Sequence, residues 1–119
     1  MDIFCKIING DIPSKCLYED DLVMVIMDVN PSSNGHSLVI PKKHYKDLLD
    51  IDSEVLNHIM KIAKDITLKL EEKLGCEGIT LIQNNGISQE VKHFHLHLVP
   101  KYNNSKKMDI EEVFKKLVD

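Results

Sequence analysis

The sequence predicts an α+β fold in which an antiparallel sheet packs against helices on one face. Short apolar or alternating segments flank one long amphipathic segment, residues 53–74, and no strand-helix-strand unit repeats along the chain. A length of 119 residues suits one hydrophobic core. We therefore expect residues 1–119 to form a single domain.

The first part of the chain is predicted to contain a short helix followed by three strands. Apolar residues at helical spacing indicate a helix within residues 2–9, with Asp2 as its N-cap and Gly10 as its end. Strands are predicted at residues 17–19, 22–27 and 36–40. The segment 28–35 is dense in turn-forming residues, so it is expected to leave the sheet.

The second part is predicted to contain two helices and two strands. The long helix spans residues 53–74, with Asp52 or Ser53 as its N-cap and Gly75 at its end. Strands are predicted at residues 78–83 and 93–99, and a final helix capped by Asp109 is predicted at residues 110–118.

Composition limits the classes of function. A formal net charge of −4 argues against binding to a nucleic-acid backbone, and no apolar run is long enough to cross a membrane. The three cysteines are widely spaced and odd in number, and residues 1–5 do not resemble an export signal. We expect a cytoplasmic protein with reduced thiols and neither a nucleic-acid nor a membrane partner.

The most informative segment is His93-Phe94-His95-Leu96-His97-Leu98-Val99. In an extended chain, side chains alternate between faces, so the three histidines share one face and the apolar residues share the other. An ordinary half-buried strand explains the alternation, but it does not explain why three imidazoles follow at every second position. Imidazole can act at neutral pH as a nucleophile, an acid, a base or a metal ligand.

Two kinds of chemistry fit these histidines, and the residue pattern leaves both open. A His-x-His strand joined by His36 or Asp28 could form an open zinc site, although no glutamate stands beside it as in helical His-Glu-x-x-His motifs. Alternatively, one imidazole could attack phosphorus and form a covalent intermediate while its neighbours hold the phosphoryl oxygens.

Residues 89–99 resemble the signature of the histidine-triad superfamily, His-φ-His-φ-His-φ-φ, where φ is apolar. The similarity extends in order and spacing over about residues 2–102 and includes residues 4–8, Asp28, residues 35–44 and residues 84–86. Among the branches of the superfamily, the chain resembles the nucleoside phosphoramidases of bacterial type.

The resemblance implies a two-layer fold with a five-stranded antiparallel sheet. It also implies a homodimer with a continuous ten-stranded sheet, in which the long helix supplies much of the interface. The implied reaction is cleavage of the P–N bond of purine nucleoside 5′-phosphoramidates, giving a nucleoside monophosphate and an amine through a nucleotidyl-histidine. Two alternatives remain: a dinucleoside polyphosphate hydrolase of a sister branch, and a nucleotide-binding or interaction module with weak catalysis.

Residue roles follow from the same resemblance. His95 matches the nucleophile, His97 the phosphate contact, His36 the histidine that completes the triad, and His93 its first and least directly catalytic member. The nucleotide contacts implied are Phe4, Ile7, Ile12 and Val29 at the purine, Asp28 at the ribose hydroxyls, and Asn84, Gln89, Glu90 and Val91 in the rest of the site.

The chain departs from the family pattern at two places. Glu90 stands where relatives carry serine or threonine, and its carboxylate would repel a phosphate but attract a cationic leaving amine. Some bacterial relatives bind a structural zinc with a Cys-x-x-Cys pair and two histidines, whereas this chain offers Asp2, Cys5, His44 and His93. Such a zinc would be structural, and catalysis itself is expected to need no cofactor.

Overall fold

A five-stranded antiparallel sheet forms the centre of the computed structural model, which describes residues 1–119. The strands are Cys16–Glu19 (β1), Val23–Met27 (β2), Ser37–Pro41 (β3), Gly78–Ile82 (β4) and Leu96–Lys101 (β5). They lie in the order β1-β2-β3-β5-β4, so β1 and β4 are the edges. The helices are Ile3–Ile8 (α1), Ser53–Leu74 (α2) and Ile110–Val118 (α3), and one 3-10 turn covers Gly86–Ser88.

Helix caps agree with the sequence pattern. Asp2 accepts a hydrogen bond from the backbone of Cys5, and Asp109 accepts one from the backbone of Glu111. Asp52 caps α2 by accepting from Glu54 and Val55, which decides between the two candidate caps. None of the three helices is both long and apolar enough to cross a membrane.

The larger core lies between the sheet and helices α2 and α3. The sheet contributes six buried side chains to it: Val23, Val25, Met27, Val39, Leu96 and Leu98. The helices contribute Ile59, Ile62, Ala63, Ile66, Leu70, Val113 and Leu117. The apolar stripe of α2 is thus largely used inside the domain.

The expectation that all helices share one face of the sheet is wrong for α1. Phe4 and Ile7 of α1 pack on the opposite face, in a second cluster with Met24, Ile26, Leu38 and Ile40. The physical reason is that β2 and β3 are buried on both faces, so apolar side chains on the second face also need a cover.

The histidine strand begins later than its alternation predicts. β5 starts at Leu96 because the preceding backbone groups are engaged elsewhere: Phe94 N–H donates to the Tyr45 carbonyl at 2.7 Å, and the His93 carbonyl accepts from the His95 ring at 2.7 Å. The side-chain alternation still holds, since Phe94 and Leu96 enter the larger core.

Candidate active site

Three strand ends bring the candidate catalytic residues together. β2 pairs with β3 so that Met27 lies opposite Ser37, and this places Asp28 beside His36 at the ends of the two strands. β3 pairs with β5 with Leu38 opposite His97. Directly opposed residues share a face of the sheet, so His97 lies on the side covered by α1.

His36 and His97 are joined by a hydrogen bond whose direction follows from their other partners. Ser32 N–H donates to Nδ1 of His36 at 3.0 Å, so that nitrogen carries no proton. The neutral His36 ring then has its proton on Nε2, which lies 2.9 Å from Nδ1 of His97. His97 consequently accepts at Nδ1 and keeps its own proton on Nε2.

His95 is held in the other neutral tautomer, with its proton on Nδ1, whereas His36 and His97 carry theirs on Nε2. Its Nδ1 lies 2.7 Å from the carbonyl oxygen of His93, and a carbonyl can only accept, so Nδ1 carries the proton. The Nε2 atom of the neutral ring therefore keeps a lone pair. The His95 ring centroid lies 5.0 Å from that of His97, which places the two rings side by side.

Burial keeps these imidazoles neutral. It lowers the pKa of His95, although the hydrogen bond to the His93 carbonyl opposes the shift. Burial likewise lowers the pKa of His97, and positive charge on His95 or His36 would lower it further. Burial also lowers the pKa of His36, against the attraction of Asp28. A neutral imidazole is the form that can act as a nucleophile.

Asp28 faces the same cluster. Its Oδ2 lies 3.4 Å from Nε2 of His36 and 4.0 Å from Nδ1 of His97, and its Oδ1 accepts from Asn30 N–H at 2.9 Å. These groups could also ligate a metal. However, the 2.9 Å contact between His36 and His97 is shorter than the spacing of about 3.3 Å between nitrogen ligands of tetrahedral zinc. In addition, the Ser32 amide leaves the proton of neutral His36 on Nε2, so the atom that faces Asp28 and His97 is a donor and offers no lone pair to a metal. The arrangement therefore favours a hydrogen-bonded pair.

The apolar residues predicted for the purine fall into two groups. Phe4 and Ile7 are buried in the smaller cluster, and Ile12 packs against it. Val91, predicted for the rest of the site, packs against the same cluster. The centroid of the Phe4 ring lies 4.9 Å from that of the His95 ring, so α1 borders His95. Val29 differs, because it is 78% exposed in the loop after β2.

The segment 84–90 is held around Gln89. Gln89 is buried and donates from Nε2 to the Lys46 carbonyl at 2.6 Å, while its Oε1 has no hydrogen-bond partner. Asn85, rather than Asn84, connects this segment to the neighbouring loop by accepting from Leu48 N–H at 2.8 Å. Glu90 is exposed.

A second cluster lies at the N-terminus of α1 and contains the four predicted metal ligands, Asp2, Cys5, His44 and His93. Their ligand atoms all lie within 4.8 Å of one another. Nδ1 of His93 is 3.3 Å from Oδ2 of Asp2 and 3.6 Å from Sγ of Cys5. Nδ1 of His44 is 3.0 Å from Oδ2 of Asp2 and 3.6 Å from Sγ of Cys5.

Three of these four separations fit a tetrahedral ion, and the 3.0 Å between Nδ1 of His44 and Oδ2 of Asp2 is slightly shorter than such a site requires. Ligand bonds of about 2.0 Å to nitrogen or oxygen and 2.3 Å to sulfur place neighbouring ligands about 3.3 to 3.6 Å apart. Nε2 of His93 donates to the Pro41 carbonyl at 2.9 Å, so its Nδ1 presents a lone pair to the centre. Burial raises the pKa of the Asp2 carboxyl, but hydrogen bonding from Cys5 and the nearby His93 ring outweigh it and hold that pKa below the usual value, which favours the carboxylate as a ligand.

The structure adds three groups that sequence reasoning missed. The Ser32 amide, the Pro41 carbonyl and the Lys46 carbonyl fix His36, His93 and Gln89 respectively. All three act through their backbone, which carries no residue-type signal. Only the turn-rich composition of residues 28–35 indicated that an amide could lie near His36.

Comparisons with known proteins identify the family to which the chain is similar. The sequence of residues 9–104 matches the protein family described as "HIT domain". An uncharacterized HIT-like protein of Methanocaldococcus jannaschii is 42% identical over 98% of this chain and 98% of its own. An adenosine 5′-monophosphoramidase of Schizosaccharomyces pombe is 40% identical over 85% of this chain and 74% of its own.

The fold is also shared with solved structures. A zinc-bound histidine triad family protein from Mycobacterium smegmatis superposes with a TM-score of 0.90 at 35% identity. The match covers 98% of this chain and 89% of that protein.

Proposed function

The chain belongs to the HIT family, and from this premise we propose that it hydrolyses purine nucleoside 5′-phosphoramidates through a covalent intermediate on His95. The observation that carries the proposal is the hydrogen bond from Nδ1 of His95 to the His93 carbonyl. It holds the neutral ring with Nε2 unprotonated, which is the state that a nucleophile needs.

The reaction has two steps. In the first, the lone pair on Nε2 of His95 forms a bond to phosphorus, the P–N bond breaks, and the amine leaves with the bonding electrons and gains a proton. In the second, water attacks phosphorus and gives up a proton, which restores the one consumed in the first step; the bond to His95 breaks, and the nucleoside monophosphate is released. Two easier displacements thus replace one difficult displacement.

His36 and His97 support this chemistry by fixing proton positions. Because His97 accepts from His36 at Nδ1, its Nε2–H remains free to donate to a phosphoryl oxygen or to the leaving amine. His36 does not need to touch the substrate for this role. His93 contributes its carbonyl to His95 while its ring belongs to the second cluster.

The nucleoside is assigned to the surface between α1 and Asp28. Asp28 retains lone pairs on both carboxylate oxygens that can accept from the two ribose hydroxyls. Phe4, Ile7 and Ile12 offer an apolar wall for the purine, and Val29 can cover its outer face. Asn84, Gln89 and Val91 are assigned to the remaining contacts of the nucleotide.

We also propose that Asp2, Cys5, His44 and His93 hold a structural Zn²⁺. The donor set and the ligand spacing support it, and a zinc-bound relative shares the fold. With four protein ligands the ion would be closed to substrate, so its effect would be to tie α1 to the segment that precedes β5.

A homodimer through β4 is the third part of the proposal. β4 is an edge strand, and an exposed apolar groove of about 290 Å³ runs between it and α2, lined by Met60, Leu68, Ile79 and Leu81 among others. An unpaired edge beside an apolar surface is suited to a second copy of the same edge across a two-fold axis, which would give ten strands.

The decisive experiment is intact-protein mass spectrometry after brief incubation with adenosine 5′-phosphoramidate. We expect wild type to carry one adenylyl group or to release AMP rapidly, and His95→Gly to do neither. His58→Gln is the matched control, since His58 lies on α2 and pairs with Asp20 away from the site. A protein that binds AMP but shows neither adduct nor turnover would instead be a binding module.

The same samples separate the proposed reaction from dinucleoside polyphosphate hydrolysis. We expect kcat/KM for adenosine 5′-phosphoramidate to exceed that for diadenosine polyphosphates. The reverse order would indicate that the protein cleaves a phosphoanhydride bond and not a P–N bond. His95 would still be the proposed nucleophile.

A further inference from the structure

The turn that precedes β3, residues 32–36, forms a closed loop around the proton of His36. Ser32 N–H donates to Nδ1 of His36 at 3.0 Å, and His36 N–H donates to the Ser33 carbonyl at 3.1 Å. Asn34 lies inside this loop, and its side chain is buried. Because the loop is closed at both ends, a displacement of Asn34 changes the geometry between the Ser32 amide and the His36 ring.

The side chain of Asn34 binds the backbone of the connecting segment, residues 102–109, which joins β5 to α3. Its Nδ2 donates to the Lys106 carbonyl at 2.8 Å, and its Oδ1 accepts from Met108 N–H at 2.9 Å. A carbonyl can only accept and an amide N–H can only donate, so the two partners also fix the orientation of the Asn34 amide. Residues 104–108 make no other hydrogen bond. One buried side chain thus fastens this part of the segment to the turn.

Two further hydrogen bonds hold the backbone of the same turn. Tyr102 OH donates to the Asn34 carbonyl at 2.6 Å, and Ser33 Oγ donates to the Pro100 carbonyl at 2.6 Å. Burial raises the pKa of Tyr102 to about 12, so its hydroxyl keeps at neutral pH the proton that it donates. The middle of the turn is therefore attached to the end of β5 and to the connecting segment.

Resting on the proposed function, we propose that Asn34 is a positioning residue for His36 and, through it, for His97. By fastening the turn to residues 106–108, Asn34 keeps the Ser32 amide directed at Nδ1 of His36. The proton of His36 then stays on Nε2, and His97 keeps its own proton on its Nε2. The side chain of Asn34 makes no hydrogen bond to an imidazole, so it acts on the reaction only through the turn.

The test measures proton positions and turnover in the same proteins. Wild type is compared with Asn34→Ala, which removes both side-chain bonds, and with Asn34→Asp, which can still accept from Met108 but cannot donate to Lys106. We expect nitrogen NMR of labelled histidine to show a single His36 tautomer in wild type and both tautomers in Asn34→Ala. Hydrogen exchange of the Ser32 amide should become at least about tenfold faster in that variant.

Turnover should follow the proton positions. With adenosine 5′-phosphoramidate, we expect kcat of Asn34→Ala to fall about tenfold, because the proton donor is displaced but not removed. KM should change by less than about twofold, since Asn34 is not a substrate contact. Asn34→Asp should give intermediate values of the tautomer ratio, the exchange rate and kcat.

Asn103→Ala is the matched control. Asn103 also fastens the connecting segment, since it donates from its backbone and from Nδ2 to the Glu77 carboxylate at 3.0 and 2.6 Å, but it makes no hydrogen bond to the turn. It should leave the His36 tautomer, the Ser32 exchange and kcat as in wild type. Tyr102→Phe, which removes the other contact to Asn34, should change all three in the same direction as Asn34→Ala. Urea unfolding establishes conditions in which every variant is folded.

The outcomes separate this proposal from the one on which it rests. If wild type hydrolyses the phosphoramidate and Asn34→Ala keeps either its kcat or a single His36 tautomer, positioning by Asn34 is overturned while the phosphoramidase function stands. An equal fall of kcat in Asn103→Ala would point to a general loosening of the segment and would overturn it as well. If wild type turns over no phosphoramidate, the proposed function fails, and NMR and hydrogen exchange still decide whether Asn34 controls the proton of His36.

Discussion

Nε2 of His36 lies 2.9 Å from Nδ1 of His97, and this hydrogen bond joins the start of β3 to β5. The proton of this hydrogen bond is on Nε2 of His36, because the Ser32 amide donates to Nδ1 on the opposite side of the same ring. A backbone group in a turn thereby determines which nitrogen of His97 carries the proton.

Replacing His36 with leucine should disturb His97 without removing it. The variant deprives Nδ1 of His97 of its donor, so His97 can adopt either tautomer and orientation. We expect kcat to fall about a hundredfold, the size associated with one positioned proton donor. Nitrogen NMR of labelled histidine should show that His97 loses its single Nε2–H form. Unchanged kcat with a mixed tautomer would contradict the role of the pair, and His58→Gln serves as control.

The activity should extend to acidic pH. Burial lowers the pKa of His36 and of His97 below the ordinary imidazole value of about 6.5. The neutral rings therefore persist below that pH, and the acid limb of kcat/KM should lie below pH 6.5. An acid limb above about 6.5 would contradict neutral rings in the folded site.

The free energy of unfolding should depend on pH because of the same lowered pKa values. Below about pH 6.5 the unfolded chain takes up protons at these histidines before the folded protein does, so the free energy of unfolding should decrease as pH falls towards the folded pKa values. Above pH 6.5 both states are neutral at these sites and the effect disappears. Urea unfolding at a series of pH values measures the slope, and His97→Gln should reduce it.

Gly35 precedes β3 and packs closely against two leucines of α2, so a substitution there should destabilise the fold. Its φ is +90°, and an added Cβ would lie 2.7 Å from Leu74 Cδ1 and 2.9 Å from Leu70 Cδ2. Gly35→Ala should lower the free energy of unfolding by about 2 to 4 kcal/mol, combining backbone strain and overpacking. Gly10→Ala is the matched control, because Gly10 has φ +83° but open space around it, and should lose about 1 kcal/mol. Equal losses in urea unfolding would show that the two leucines move aside.

The proposed dimer can be tested on its apolar groove. Leu68 on α2 is 56% exposed, and Leu68→Glu should place a charge in the interface and shift the sedimentation velocity of the protein from dimer to monomer. Leu49→Glu is the control, since Leu49 is 96% exposed in the loop before α2 and does not line the groove. A wild-type monomer, or a dimer that survives Leu68→Glu, would rule out this interface.

Sequence patterns predicted those features that depend on local periodicity. The bounds of α2 and α3 and the caps Asp2, Asp52 and Asp109 agree with the structure because spacing and capping are local properties. The start of β5 and the face that α1 covers were predicted wrongly. They depend on Tyr45 and on the two-sided burial of β2 and β3, which are distant in sequence, and on the contact of the His93 carbonyl with the His95 ring, which strand periodicity does not encode. The triad was identified by its resemblance, but its proton positions required the structure.

The two carboxylate oxygens of Asp2 face different groups. Oδ1 caps α1 by accepting from Cys5 N–H at 2.8 Å, and Oδ2 faces His44 and His93 at 3.0 Å and 3.3 Å. Asparagine caps helices as well as aspartate does but lacks the charge that a zinc ligand supplies. Asp2→Asn should therefore keep the stability of the metal-free protein while weakening zinc binding at least about tenfold.

Two further variants separate the roles of Asp2. Asp2→Ala should lose both, with about 1 kcal/mol less stability even in EDTA, whereas Asp2→Cys should bind zinc more tightly than wild type. Thermal unfolding with EDTA and with added zinc, together with the zinc content of the purified proteins, measures all four chains. We expect zinc to raise the Tm of wild type and Asp2→Cys, and to raise that of Asp2→Asn only at higher concentration. An equal zinc-induced shift in wild type and Asp2→Ala would show that Asp2 is a helix cap alone, and that the ion is held by Cys5 and the two histidines without it.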